Sequence, residues 1–326
     1  MKEPVSMKPS PHLRDPANHH KIMGVVCLVL LIPAAGGSLL FGARVWLLLA
    51  AGALSAVVFE GLYQKLMKKP RDWWDGSAAV TGMLVALSLP VTVPLWTVAA
   101  GTFFGIVIIK QIPGGLGKNP LNPAAAARVM LAFVFPDQVS RWVLPGTDAV
   151  SGATPLSLIQ QVGMDTWEEA FTLPWLLLGW TGGGVGETSA VLIIGAALLL
   201  AWKKVIDLRI SGTTLAAAAM TALVVGGFRP SMALAHVFSG ALVFGAVFMV
   251  TDYTTSPLTL HGRMIFGAGV GVLTVLVRVF SPLDGGFGLA LLGMNLLRKP
   301  IDQWATPRVM GARRQPVNQE VYELEV

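Results

Sequence analysis

The chain alternates apolar stretches with polar connections, and 19 of its 24 basic residues fall on one alternate set of those connections. A helix spans a hydrocarbon core of about 30 Å with about 20 mostly apolar residues. Stretches read as full-length spans cover residues 22–41, 45–63, 95–110, 189–202, 210–227 and 260–280. The first is no cleavable signal, because its apolar run is too long and no A-x-A site follows. Four others, 75–90, 122–135, 236–250 and 287–297, are short. At about 1.5 Å per residue they reach only roughly 17–24 Å. Such helices are either tilted spans with polar ends or half-buried helices that stop inside the protein beside a site.

Composition agrees with a membrane protein. Hydrophobic residues make up 54% of 326 and charged residues 13%, against about 25% charged in soluble domains. Disorder is excluded by the apolar content, and a single cysteine, Cys27, excludes a disulfide scaffold. The net charge of +6 invites a nucleic-acid reading until the basic residues are placed. Ten crossings with the N-terminus inside put 19 of the 24 Lys and Arg residues on the cytoplasmic side. The other side holds Arg44, Arg141, Arg229 and Arg278, with Arg128 inside a short helix. Both termini are then expected to be cytoplasmic, and no nucleic-acid partner is expected.

The expected fold is an all-α polytopic membrane protein of about ten helices in two inverted five-helix repeats. A cytoplasmic tail (1–21) precedes the first repeat (22–135), an external loop (136–187), the second repeat (188–297) and a second cytoplasmic tail (298–326). Ser77-Ala-Ala-Val-Thr-Gly82 in the third helix parallels Ser239-Gly-Ala-Leu-Val-Phe-Gly245 in the eighth, and Gly114-Gly115-Leu116-Gly117 parallels Gly285-Gly286-Phe287-Gly288. Short helices at matching places in inverted halves point to a midplane binding site, because irregular backbone is tolerated only where protein surrounds it. The same layout suits urea or ammonium channels, so a solute channel or carrier of urea-transporter-like architecture is one reading of the fold.

Few polar groups stand at membrane depth, and ionisable ones there are functional candidates by default. Glu60, Asp75 and Asp252 are ion-pathway candidates, although they and Lys110 lie near cytoplasmic helix ends, where snorkelling to water also accounts for them. Asp75 also precedes a helix start and suits a cap. Asn122-Pro123 reads as an N-cap with proline at the first helical position. Arg128 requires a carboxylate or cofactor partner, His236 reads as a satisfied core group, and Glu187-Thr188-Ser189 reads as a cap of the sixth helix. Trp73, Trp74, Trp96, Trp202 and Trp304 fit an interfacial belt. His12, His19 and His20 lack zinc spacing. No metal site, hydrolytic triad or iron–sulfur motif is present in the sequence.

The external loop carries Asp148-Ala-Val-Ser151-Gly152-Ala153-Thr154-Pro155. As local chemistry this is a turn: Ser-Gly breaks regular structure and Pro155 keeps Thr154 extended. The pattern D-x-x-S-G-A-T is also similar to the acceptor of periplasmic flavin transferases, which join FMN to the threonine through a phosphoester. Further motifs run along the chain: Asp75-Gly-Ser-Ala-Ala-Val-Thr-Gly82, Lys110-Gln-Ile-Pro-Gly-Gly-Leu-Gly-Lys-Asn119-Pro-Leu-Asn122-Pro, Gly184-Val-Gly-Glu187-Thr-Ser, Thr251-Asp252-Tyr-Thr-Thr-Ser-Pro257 and Gly286-Phe-Gly-Leu-Ala-Leu-Leu-Gly-Met-Asn295. With these the whole chain resembles the RnfD/NqrB family, which Rnf electron-transport complexes share with sodium-translocating NADH:quinone reductases. Its short N-terminus and its tail resemble the Rnf side more.

The resemblance implies a flavoprotein subunit of an ion-translocating ferredoxin:NAD oxidoreductase complex, inactive alone and coupled to Na⁺ or H⁺ transport. It implies covalent FMN on Thr154, with Asp148, Ser151, Gly152 and Ala153 forming the acceptor motif. It also implies a second, noncovalent riboflavin-like flavin, for which Gly114, Gly115, Asn119 and Asn122 are the candidate residues. The partners implied are the other Rnf subunits, a flavin transferase and membrane lipid.

Overall fold

Apolar residues at helical spacing produce helices throughout the computed structural model, which describes residues 19–69, 75–146, 154–162, 167, 172–281 and 286–306. In chain order these are α1 (His19–Phe41), α2 (Arg44–Leu66), α3 (Ser77–Leu87), α4 (Leu95–Phe103), a π-helix (Phe104–Gln111), α5 (Pro123–Val134), α6 (Pro136–Val139), α7 (Pro155–Val162), α8 (Leu173–Leu178), α9 (Ala190–Trp202), α10 (Leu208–Val225), α11 (Pro230–Phe238), α12 (Leu242–Phe248), α13 (Leu260–Phe280), α14 (Phe287–Leu296) and α15 (Arg298–Ala305).

Among the described residues four helices, α1, α2, α10 and α13, are long and apolar enough to cross a membrane. The pair α11–α12 makes a fifth candidate, bent by 56° at its break. Gly240 sits in that break at φ +65°, a left-handed conformation that glycine adopts without steric penalty. Full-length spans are thus fewer than hydropathy alone implies. The stretch 189–202 yields only the 13 residues of α9, because Ser189 stays extended and the helix ends at Lys203. The stretch 95–110 changes from α to π geometry at Phe104. Short helices bury much of their length: α3 buries nine of 11 residues and α12 all seven. They pack against protein more than lipid.

Small residues set the closest helix contacts, as they do where lipid offers no hydrophobic drive to association. A Cβ on Gly82 of α3 would lie 2.1 Å from the carbonyl oxygen of Gly52 in α2. A Cβ on Gly271 of α13 would lie 2.2 Å from Thr214 O in α10. Helix α5 packs on α14 and α1 on α9. Trp96, Trp202 and Trp304 are exposed, while Trp73 and Trp74 lie outside the described residues.

Candidate functional site

Among the described residues, two crevices that enter the helical core are lined by residues of interest. The first, here the lysine crevice, has about 750 Å³ of empty space including its mouth. Its walls are mostly apolar, with Met23, Leu84, Val247 and Phe248 among them, and its polar groups are Ser77, Thr81, Lys110, Asn119, Asn122 and the 251–254 segment. The second, the threonine crevice, totals about 1270 Å³ including its mouth. It is lined by Thr154, Trp142, Arg128 and Glu187, and by glycines 182, 183, 240, 286 and 288. Helix α5 runs from one crevice to the other, as does the segment that forms α12: Pro123 and Val247 face the first, Arg128 and Ala241 the second.

Asparagines build one wall of the lysine crevice. Asn122 caps α5, its side chain accepting the Ala125 amide at 3.0 Å with Pro123 next. Its own backbone N–H donates to Asn295 Oδ1 at 2.9 Å, and its side-chain amide donates to Met249 O at 3.3 Å. Asn119 donates to Thr254 Oγ1 at 3.2 Å, and Thr254 Oγ1 donates to Asp252 Oδ2 at 2.8 Å. Of the four residues expected around a second flavin, Asn119 and Asn122 line this crevice. Gly114 and Gly115 do not. Gly114 is exposed, at φ +134°, in the turn beyond the π-helix. Of the ion-pathway candidates, Asp252 lines the crevice, accepting from the Thr254 amide and from the Thr254 and Thr255 hydroxyls.

Snorkelling does not describe Glu60 or Lys110. Each side chain is 2% exposed, and they pair at 2.7 Å. Gln111 Nε2 donates to the same Glu60 oxygen at 2.5 Å, and Lys110 Nζ donates to Ser77 Oγ at 2.6 Å. Two consecutive residues reach one carboxylate because the π-helix turns less per residue than an α-helix, which narrows the angle between neighbours. Ser77 in turn donates to Asp75 Oδ1 from its hydroxyl at 2.6 Å and its amide at 2.8 Å. Asp75 therefore satisfies a free amide of the first turn of α3. Sequence reasoning missed Ser77 and Gln111, which carry no charge to flag them.

At the threonine crevice, Thr154 caps α7. Its Oγ1 accepts the Ser157 amide at 3.0 Å, and Ser157 Oγ donates back to Thr154 O at 3.0 Å. The motif residues Asp148, Ser151, Gly152 and Ala153 lie outside the described residues. Arg128 Nε donates to Ser88 O at 3.0 Å, and its guanidinium stands 5.9 Å from the Trp142 ring centroid. Glu187 does not cap α9: Ser189 holds the N-cap position and no side-chain bond closes it. Burial pushes the Glu187 carboxyl up to about 7, against the pull of Arg128, the Gly184 amide and Arg278. Arg278, 1% exposed, donates to the carbonyls of His236 and Ser239 at the α11–α12 break. His236 is buried, and its Nδ1 has no hydrogen-bond partner among the described residues.

Fold and site together define a polytopic membrane protein whose broken and short helices enclose two crevices joined by α5 and α12. The family profile described as "NQR2, RnfD, RnfE family" matches residues 6–311, and the chain belongs to that family. It is 36% identical to the D-subunit of the Na⁺-translocating ferredoxin:NAD⁺ oxidoreductase complex of Acetobacterium woodii, over 95% of this chain and 96% of that one. Similarity to the D-subunit of the proton-translocating complex of Clostridium ljungdahlii is almost equal, 35% over 94% and 96%. The B-subunit of the Na⁺-translocating NADH-quinone reductase of Chromohalobacter salexigens is 41% identical, over 69% of this chain and 57% of its own length.

Proposed function

We propose that the chain is the membrane subunit of an Rnf-type ion-translocating ferredoxin:NAD oxidoreductase complex, and that it carries FMN covalently on Thr154 and a second, noncovalent flavin in the lysine crevice. When bound, the flavins supply one- and two-electron redox chemistry, while the protein orients and tunes them. The observation that carries this reading is Thr154 at the wall of the larger crevice, at the end of a D-x-x-S-G-A-T motif.

The residues suit the task. Thr154 Oγ1 acts in the fold as an acceptor for the Ser157 amide. A phosphoester oxygen keeps lone pairs, so esterification leaves that bond possible. Five glycines in the wall leave room for a flat ring, and Arg128 brings positive charge to an anionic phosphate. The lysine crevice offers an apolar body with donors and acceptors at its edge, which suits an isoalloxazine. From Ala241 to Val247 the separation along α12 is six residues, or about 9 Å, a short path between two redox groups. The ten-helix inverted repeat, with the Lys- and Arg-rich loops cytoplasmic and Thr154 external, belongs to the same proposal. Coupling to Na⁺ or H⁺ comes from the relatives' names, which divide on the ion at nearly equal identity.

The test is coexpression with a flavin transferase, followed by a denaturing gel read for flavin fluorescence. Wild type is expected to fluoresce and Thr154→Ala to be dark. A dark wild-type band, or a bright Thr154→Ala band, would overturn the assignment.

A further inference from the structure

The lysine crevice is joined to the protein surface by a line of hydrogen-bonded side chains. Lys110 has three N–H donors. One reaches Glu60 Oε1 at 2.7 Å and one Ser77 Oγ at 2.6 Å. The third has no acceptor among the described residues, and Lys110 lines the crevice. Ser77 Oγ continues the line to Asp75 Oδ1 at 2.6 Å. Asp75 reaches the margin: its side chain is 11% exposed, and His19, 39% exposed, lies 3.9 Å away. Burying a lysine and a glutamate costs desolvation that their attraction often only offsets. Stability alone is therefore a poor reason for this arrangement, and an ionisable group at such depth points to a function.

We propose that Asp75, Ser77 and Lys110 form a proton path ending at the occupant of the lysine crevice, with Lys110 as the group that hands over the proton. This rests on reading that crevice as the site of the noncovalent flavin. A one-electron donor in a neighbouring part of the complex, a flavin or an iron–sulfur centre, would supply the electron, and a bound flavin would take up one proton with it. Lys110 would release that proton from Nζ. A proton from surface water would first load Asp75, and the two hydrogen bonds would then reverse, Asp75 donating to Ser77 Oγ and the Ser77 hydroxyl donating to Lys110 Nζ. One proton enters from water for each one released, and the three side chains return to their starting state. Glu60 holds Nζ in place by accepting from it at 2.7 Å; it is a positioning residue.

The purified full complex tests this by rapid mixing with dithionite, following flavin absorbance in H₂O and D₂O, with noncovalent flavin released by acid and counted for every variant. Wild type is expected to show an isotope-sensitive step. Ser77→Ala is expected to slow that step at least tenfold with flavin content unchanged, and Ser77→Thr, which restores a hydroxyl, to return it to within about twofold. Where Ser77→Ala does not assemble, Asp75→Asn reads the same step, because it keeps an oxygen for the Ser77 amide and loses the carboxyl. Unchanged kinetics in the alanine variant with flavin retained, or a threonine variant as slow as alanine, would overturn the path alone. A wild-type complex that releases no flavin would overturn the reading of the crevice itself.

Discussion

Asn295 Oδ1 accepts the backbone N–H of Asn122 at 2.9 Å, tying the end of α14 to the cap of α5 across 173 positions of chain. The Asn295 amide also donates to Thr255 O at 3.2 Å, so one side chain closes three segments around the lysine crevice. Replacing Asn295 with Ala strands a buried amide and removes a donor from a buried carbonyl. A lost partner of this kind costs about 1–3 kcal/mol. Thermal unfolding of the detergent-solubilised protein is expected to show a clear loss of stability, and an unchanged midpoint would refute the clamp.

Lys110→Met leaves the Glu60 charge buried without its partner. Breaking a buried pair on one side costs about 3–5 kcal/mol, whereas replacing both members with neutral groups of similar size is often tolerated. The single variant is expected to lose most folded protein on size-exclusion chromatography, and Glu60→Gln with Lys110→Met to recover it. Equal yields from the two would show that Glu60 finds another partner.

Gly82→Ala and Gly271→Ala each place a methyl where a backbone carbonyl oxygen now lies, 2.1 and 2.2 Å away. Rigid backbone cannot step aside as a flexible side chain can, so overpacking of about 1–3 kcal/mol or more is expected. Gly195→Ala, whose Cβ would meet nothing within 4 Å, is the matched control and is expected to be neutral or mildly stabilising in the same unfolding assay.

Most helices were legible from hydropathy, because an apolar run of about 20 residues forms a helix in lipid. Their lengths were not. Whether 189–202 continues into the bilayer or stops at α9 depends on neighbours that the local sequence does not contain. The cap at Asn122 was legible since its chemistry is local: an asparagine followed by proline. The Glu60–Lys110 pair was not, because 50 positions separate its members and each alone looks like a charge near a helix end. Two opposite lone charges at the C-terminal ends of the second and fourth apolar stretches were the available signal. Glu187 was misread as a cap for a related reason: the charges that act on it, Arg128 and Arg278, come from α5 and α13, far away in the chain.

Glu187 also gives a pH prediction. Its carboxyl is raised from 4.5 to about 7 by burial, so between those values the folded protein holds a proton that the unfolded chain has released. Stability linked to this group is therefore present at the acid end and falls as pH rises through about 7. The protein's infrared spectrum is expected to contain a protonated-carboxyl band that fades with a midpoint near 7 and is missing in Glu187→Gln. A band unaffected by the substitution would assign the titration to another group.

The π-helix at Phe104–Gln111 has a consequence for the length of the chain. A π turn is an α turn carrying one extra residue, so deleting a single residue between Phe104 and Ile109 would let the segment relax to α-helix and keep both flanks in place. The connection would survive and the register would not. Lys110 and Gln111 would rotate apart, and only one could still reach Glu60. Here the spacing of the backbone, more than the identity of any side chain, makes two adjacent residues act as one ligand pair.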